Sequence, residues 1–374
     1  MKKKYIIFSL VTLVLLVALI TSFNYFKTTN TYIDDSVNNQ TKITKGISMN
    51  LEQTAGAGDY KTVTRSSWPT EGYKFNAELS RCENGSTLSW DDTKKAVIVS
   101  GNLSDKCYVY FDIYQPTLAE YIKSQYTGTQ GDNGIYYHNS TLANGAGDNS
   151  YRYAGASDSV NNYVCLGSDE ATCPDANLFR IIGVFGDQTK VIRAKSIGNQ
   201  KWDTNNSNTW SSSSLNTYLN GEYLTSLGTI AEKIATTTWK VGGRSSTYLY
   251  DVPTTAYQYE VGSSASTTTY DAKIGLMYVS DYGFAADQSG WTTKLDSYGS
   301  NSSKNWLYLG SFEWTISRNS DLASSAFFVY STGYVNYYYV YINSFAVRPV
   351  FNLESSVKYV SGSGSMSDPV RVTD

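Results

Sequence analysis

From Ile47 onward the chain runs through short apolar stretches in which hydrophobic and polar positions alternate. ISMNL, YKTVTRSSW, YKFNAEL, STLSW, AVIVS and CYVYFDIY follow one another before residue 115. A two-residue period places every second side chain on one face, so each stretch predicts a strand with one side buried. Turn formers separate them, among them Glu83-Asn-Gly and Gly101-Asn. Strands this short, closely spaced and divided by turns predict a small immunoglobulin-like β-sandwich over residues 45–114.

The period changes after Pro116, where TLAEYIKSQY sets Leu118, Tyr121, Ile122 and Gln125 at helical spacing. A Gly/Asn/Asp-rich stretch, 127–155, reads as loop. Leu178–Phe185 and Lys190–Lys195 predict a hairpin turning at Gly186-Asp187. Ser211–Leu219 and Thr229–Thr238 predict helices, and Ala272–Ser280 a strand. Phe327–Tyr341 alternates around Ser331-Thr-Gly333 as a second hairpin, and Lys358–Val372 reads as a strand pair. Trp314-Thr-Ile-Ser-Arg318 and Val347-Arg-Pro-Val-Phe351 predict core strands. Arg318 and Arg348 lie within them, so both guanidinium groups need carboxylate or carbonyl partners, an unpaired buried charge being costly. The fold class expected is α+β, with residues 115–374 forming one mixed domain.

Before the strands, Lys2, Lys3 and Lys4 precede an apolar run, Tyr5–Phe23, of 19 residues. That length spans a bilayer as a helix, and the lysines orient it with the bulk of the chain outside. Residues 1–26 are therefore expected to be a single-pass membrane anchor and 27–44 a stalk. A cleaved signal peptide shares the charged start and apolar core, but no small-x-small cleavage site follows. Cys82 and Cys107, then Cys165 and Cys173, fall into local pairs with separations of 25 and 8 residues. Export favours disulfides, and closed loops of those sizes stabilise by roughly 3.5 and 2.5 kcal/mol in the chain-entropy model.

Composition narrows the function. Charged residues make up 17% and the net charge is −3, so nothing basic invites nucleic acid. The single histidine, His138, sits in a polar Tyr-Tyr-His-Asn-Ser stretch and reads as a surface-loop residue. With one histidine, two-histidine zinc sites are excluded and a Ser-His-Asp triad has little support. No Walker loop or dinucleotide fingerprint is present. Two carboxylates at the right separation would suffice for a cell-wall glycan hydrolase, and Glu313 and Asp281 are the candidates for that alternative. Asp203-x-Asn205-x-Ser207 matches the opening of a calcium loop, but its twelfth position is Ser214 instead of Glu. No cofactor is expected beyond that weak calcium match.

Residues 306–353 are dense in aromatic, Ser and Asn residues, within a chain that holds 33 tyrosines. Tyr and Trp supply contact area at low entropic cost, while Ser and Asn supply adaptable hydrogen bonds. In Tyr337-Tyr338-Tyr339 both strand faces are aromatic, so one row must meet solvent or a ligand. The expected ligand-binding set is Tyr330, Tyr334, Asn336, Tyr338, Tyr341, Asn343 and Ser344, with Trp306 and Trp314 nearby. Ordinary strand tyrosines, in a structural surface protein with no ligand, are the bland alternative.

Phe179-Arg-Ile-Ile-Gly183, Trp210 with Leu215 and Leu219, Met277-Tyr-Val-Ser280, Trp314-Thr-Ile-Ser-Arg318 and Ala346-Val-Arg-Pro349 together resemble an uncharacterised group of exported Firmicutes surface domains. These look like the formylglycine-generating-enzyme-like branch of the C-type-lectin fold. The enzyme branch depends on late cysteines, and this chain has none after Cys173. Another branch hosts retroelement-diversified ligand-binding proteins, whose variable aromatic and Asn/Ser positions the 334–344 set resembles. The resemblance implies a lectin-like binding or adhesion domain and an extracellular protein or glycan partner.

Overall fold

The computed structural model describes residues 46–65, 67–102 and 104–373. The expected anchor, 1–26, and stalk, 27–44, lie outside the described residues. Among the described residues no helix is long and apolar enough to cross a membrane. The chain divides into two compact units between Gln115 and Pro116.

In the first unit, Ile47–Glu52, Tyr60–Val63, Tyr73–Cys82 and Cys107–Ile113 build one four-stranded sheet. Ile47–Glu52 runs parallel to Cys107–Ile113, while the other pairs are antiparallel. A separate hairpin, Thr87–Asp91 with Ala96–Ser100, packs its Trp90 and Val97 against that sheet. Phe111 anchors the core, with the rings of Trp90, Phe75 and Trp68 at 5.7–5.9 Å. The expected sandwich is thus a mixed sheet covered by one hairpin. The alternation in each strand supplies one apolar face, and those faces meet. A disulfide joins Cys82 to Cys107, residues directly opposed across two paired strands.

The second unit opens with the helix Leu118–Ser124. Thr117 and Glu120 form a reciprocal capping box there, and Leu118, Ala119 and Ile122 are buried, as the helical spacing requires. An eight-stranded sheet carries the hairpin Leu178–Phe185/Gln188–Arg193 at its centre, flanked by Val350–Leu353 on one side and Tyr163–Cys165 on the other. The expected 127–155 loop contributes two short strands, Ile135–Tyr137 and Tyr151–Tyr153. Tyr151–Tyr153 joins the sheet across Gly183, where a Cβ would lie 2.2 Å from the Tyr151 carbonyl oxygen. The strand pair Tyr359–Ser361/Val370–Val372 closes the sheet edge, and Cys165 is bonded to Cys173.

A second sheet of five strands runs in the order Asn199–Gln200, Phe345–Ala346, Glu313–Arg318, Ser325–Val329, Val335–Tyr339. Between the sheets lies a continuous core containing Trp202, Trp210, Trp239, Trp306 and Trp314.

Two expected elements are corrected. Thr229–Thr238 is a short 3-10 turn, Gly228–Lys233, followed by the strand Thr237–Lys240; its run of β-branched threonines favours the extended state. Ala272–Ser280 ends its strand at Ala272 and turns into the helix Val279–Phe284. Every residue of that helix is buried, so its apolar pattern shows no one-sided period.

Candidate functional site

The hairpin Ser325–Val329/Val335–Tyr339 fixes the site geometry through its register: Phe328 faces Asn336, Ala326 faces Tyr338, and Tyr330 donates its N–H to Tyr334. Gly333, at a φ of 96°, supplies the left-handed residue this turn needs. Directly opposed residues share a face, so Tyr330, Tyr334, Asn336 and Tyr338 belong to one row. Tyr330 stacks on Tyr334 at 4.5 Å and meets Phe312 edge-on at 4.6 Å. Beneath them, Phe345 bridges Trp314 and Phe328 at 4.5 and 4.7 Å, with Tyr338 at its margin.

The row is unevenly exposed. Tyr330, Tyr334 and Asn336 are half-buried. Asn336 is occupied, its Oδ1 accepting from the Tyr250 hydroxyl at 2.9 Å and the Tyr337 N–H at 2.8 Å. Tyr337 turns to the other face, against Phe327 and Tyr250. The open part lies at the strand's end, where Tyr338, Tyr339 and Ile342 are 39, 44 and 45% exposed. Tyr339 sits 5.8 Å from Tyr338 and 6.0 Å from Tyr341, while Asn343 and Ser344 are exposed beside them. Tyr339 and Ile342 escaped the sequence reading, although the all-aromatic triplet was the available signal.

Several candidates take other places. Trp306 and Trp314 are buried. Trp306 is turned into the core, its indole N–H donating to the Tyr153 carbonyl and the Arg180 guanidinium 4.7 Å from its ring. Trp314 is the floor of the aromatic row, not its rim. His138 is wholly buried instead of on a surface loop. Its Nδ1 accepts from Ala146, Phe284 and Trp291 pack against its ring, and burial holds its pKa well below the usual value. Asp203 uses both carboxylate oxygens to hold its own loop, accepting from the N–H groups of Asn205, Ser207 and Ser214. Among the described residues no group of acidic, His or Cys side chains is arranged to hold a metal.

Both candidate catalytic carboxylates are committed to buried ion pairs. Glu313 receives a two-pronged fork from Arg348 at 2.6 and 2.8 Å, and Arg348 also donates to the Leu307 carbonyl, which matches the partner rule for buried arginines. Arg318 is half-buried and donates to the Gly242 carbonyl and to Asn208. Asp281 accepts from the Tyr278 N–H and from Lys190 Nζ, 2.5 Å from its Oδ2.

Around Asp281 the structure assembles a charged cluster with no signature in the sequence. Arg152 Nη1 stands 3.8 Å from Asp281 Oδ1, and its Nη2 donates to Asp148 at 2.6 Å. Burial pushes the Lys190 ammonium down, while the guanidinium of Arg152 helps hold Asp148 at about 2 against its own burial. Glu260 is buried nearby and accepts from the N–H groups of Val279 and Ser280 and from the Ser317 hydroxyl. Desolvation pushes its pKa up to about 7. Phe185, Trp239 and Tyr278 surround the Lys190 amine.

Residues 186–355, which carry both the aromatic hairpin and most of this cluster, match the family described as Domain of unknown function (DUF6273). No curated protein and no solved structure matches the chain.

Proposed function

We propose that the chain is a membrane-anchored surface protein that binds an extracellular protein or glycan. The reading gives the second unit a lectin-like role and places the contact on the hairpin and the segment that follows it, from Tyr330 to Ser344. The observation that carries it is the exposed group Tyr338, Tyr339, Ile342, Asn343 and Ser344, with half-buried Tyr341 among them, beside an aromatic floor. Exposed aromatic clusters supported from beneath act as anchors in recognition, because their conformational cost on binding is small. Commitment of Glu313 and Asp281 to buried ion pairs leaves the hydrolase reading without a free carboxylate pair among the candidates.

The test is a screen of the purified chain against glycan and extracellular-protein arrays, repeated with Tyr338→Ala/Tyr339→Ala. A hit that weakens at least tenfold in the variant, about 1.4 kcal/mol, supports the site. Binding equal in both proteins removes this face from the reading. An empty screen favours a structural surface protein. Protease shaving of intact cells tests the location, with release of the region beyond residue 45 as the expected result.

A further inference from the structure

We infer that Lys190 and Asp281 become joined by an isopeptide bond, Lys190 Nζ to Asp281 Cγ, through condensation of the two side chains inside the second unit. The two residues stand 91 positions apart in sequence, on the strand Gln188–Arg193 and the helix Val279–Phe284. With Nζ 2.5 Å from Oδ2, the amine stands beside the carboxyl carbon it would attack. Proximity of this kind replaces a bimolecular encounter and removes much of the entropic barrier to reaction. Both side chains are buried, and aromatic rings shield the amine. Water, the product of condensation and the reagent of its reversal, is thus excluded.

The atoms balance without a co-reactant. The ammonium passes one proton along the hydrogen bond to Oδ2, leaving an amine and a carboxylic acid, the pair of states that burial favours. Nζ then bonds to Cγ, and negative charge gathers on Oδ1, the oxygen facing Arg152 Nη1. A second proton leaves nitrogen for Oδ2, the Cγ–Oδ2 bond breaks, and one water departs from a neutral secondary amide. Glu260 is a positioning residue: it holds the two backbone N–H groups just ahead of Asp281. Lys195 and Asp175 approach as closely, at 2.6 Å, but both are largely exposed. Solvated there, they should remain an ordinary ion pair, which provides an internal control.

The experiment is tandem mass spectrometry on a tryptic digest of the full-length chain after reduction and alkylation. The expected product is a branched peptide linking the Lys190 and Asp281 segments, lighter by one water, about 18 Da, than the two together. Lys190 should resist trypsin while Lys195 is cleaved. Lys190→Ala and Asp281→Ala should each yield only linear peptides. Should either variant fold poorly, the wild-type spectrum still decides. A cleaved, linear Lys190 peptide in the wild type overturns the proposal. So does a water deficit that persists in Lys190→Ala, since that marks a cyclised aspartate. In samples taken at intervals after expression, Glu260→Gln should hold a larger unlinked fraction than the wild type; linkage at the wild-type rate removes its positioning role.

Discussion

Glu260 and Glu313 are both buried carboxylates, yet their surroundings predict different responses to substitution and to pH. Glu313 is matched by a guanidinium held in a two-pronged fork. Glu313→Gln would strand Arg348 without its counter-charge, and urea unfolding should show a loss of about 3–5 kcal/mol. Glu260 has backbone N–H groups and a hydroxyl as partners, with no basic side chain donating to it. Its folded pKa of about 7 lies above the ordinary 4.5, so the folded state holds a proton that the unfolded chain has released. The favourable contribution is complete below about pH 4.5 and is lost as pH rises towards 7. The full span amounts to roughly 3 kcal/mol. Denaturation midpoints of the second unit should therefore fall between pH 5 and pH 8, and Glu260→Gln should flatten that fall. A wild-type midpoint that rises over this interval would contradict the assignment. Desolvation leads the shift, so the trend holds whether or not Lys190 and Asp281 keep their charges.

At the scale of elements, Gly183 shows how a strand contact constrains a single position. A Cβ there would lie 2.2 Å from the Tyr151 carbonyl oxygen and would force the strand Tyr151–Tyr153 away from the sheet. Gly183→Ala should cost about 3 kcal/mol, the upper end of overpacking, and thermal unfolding can measure it. By contrast, Thr117→Ala removes one member of an exposed capping box and should cost about 1 kcal/mol. The opening helix and the central hairpin were legible because local pattern specifies them: Leu118, Tyr121, Ile122 and Gln125 stand at helical spacing, and Gly186-Asp187 interrupts two apolar runs. The helix Val279–Phe284 was not legible. Its residues are buried on all sides, and the cap at Tyr278 depends on Asp281, which local sequence could equally place at a strand end. The site divides in the same way. Alternation placed Tyr330, Tyr334, Asn336 and Tyr338 on one row, whereas the burial of Trp306 depends on Arg180, a partner 126 residues away.

Over the whole molecule, covalent ties and cores are distributed one set to each unit. Met49, Leu51, Val97, Val109 and Phe111 form the core of the first unit, and the disulfide Cys82–Cys107 lies beside it. The second unit has its own, much larger core and the disulfide Cys165–Cys173. A small domain buries a smaller fraction of its surface, so a cross-link matters more to its net stability. The larger loop belongs to the smaller unit: Cys82–Cys107 closes 25 residues and should contribute roughly 3.5 kcal/mol, against roughly 2.5 kcal/mol for the 8-residue loop. Calorimetry of the full chain should therefore resolve two transitions. Cys82→Ser/Cys107→Ser should lower or abolish the smaller one and leave the larger in place. Cys165→Ser/Cys173→Ser should shift only the larger transition, and by fewer degrees, because the lost contribution is smaller and the cooperative unit bigger. A single transition that moves as one in both double variants would show the units to be thermodynamically coupled, and the two cores would then have to be treated as one folding unit.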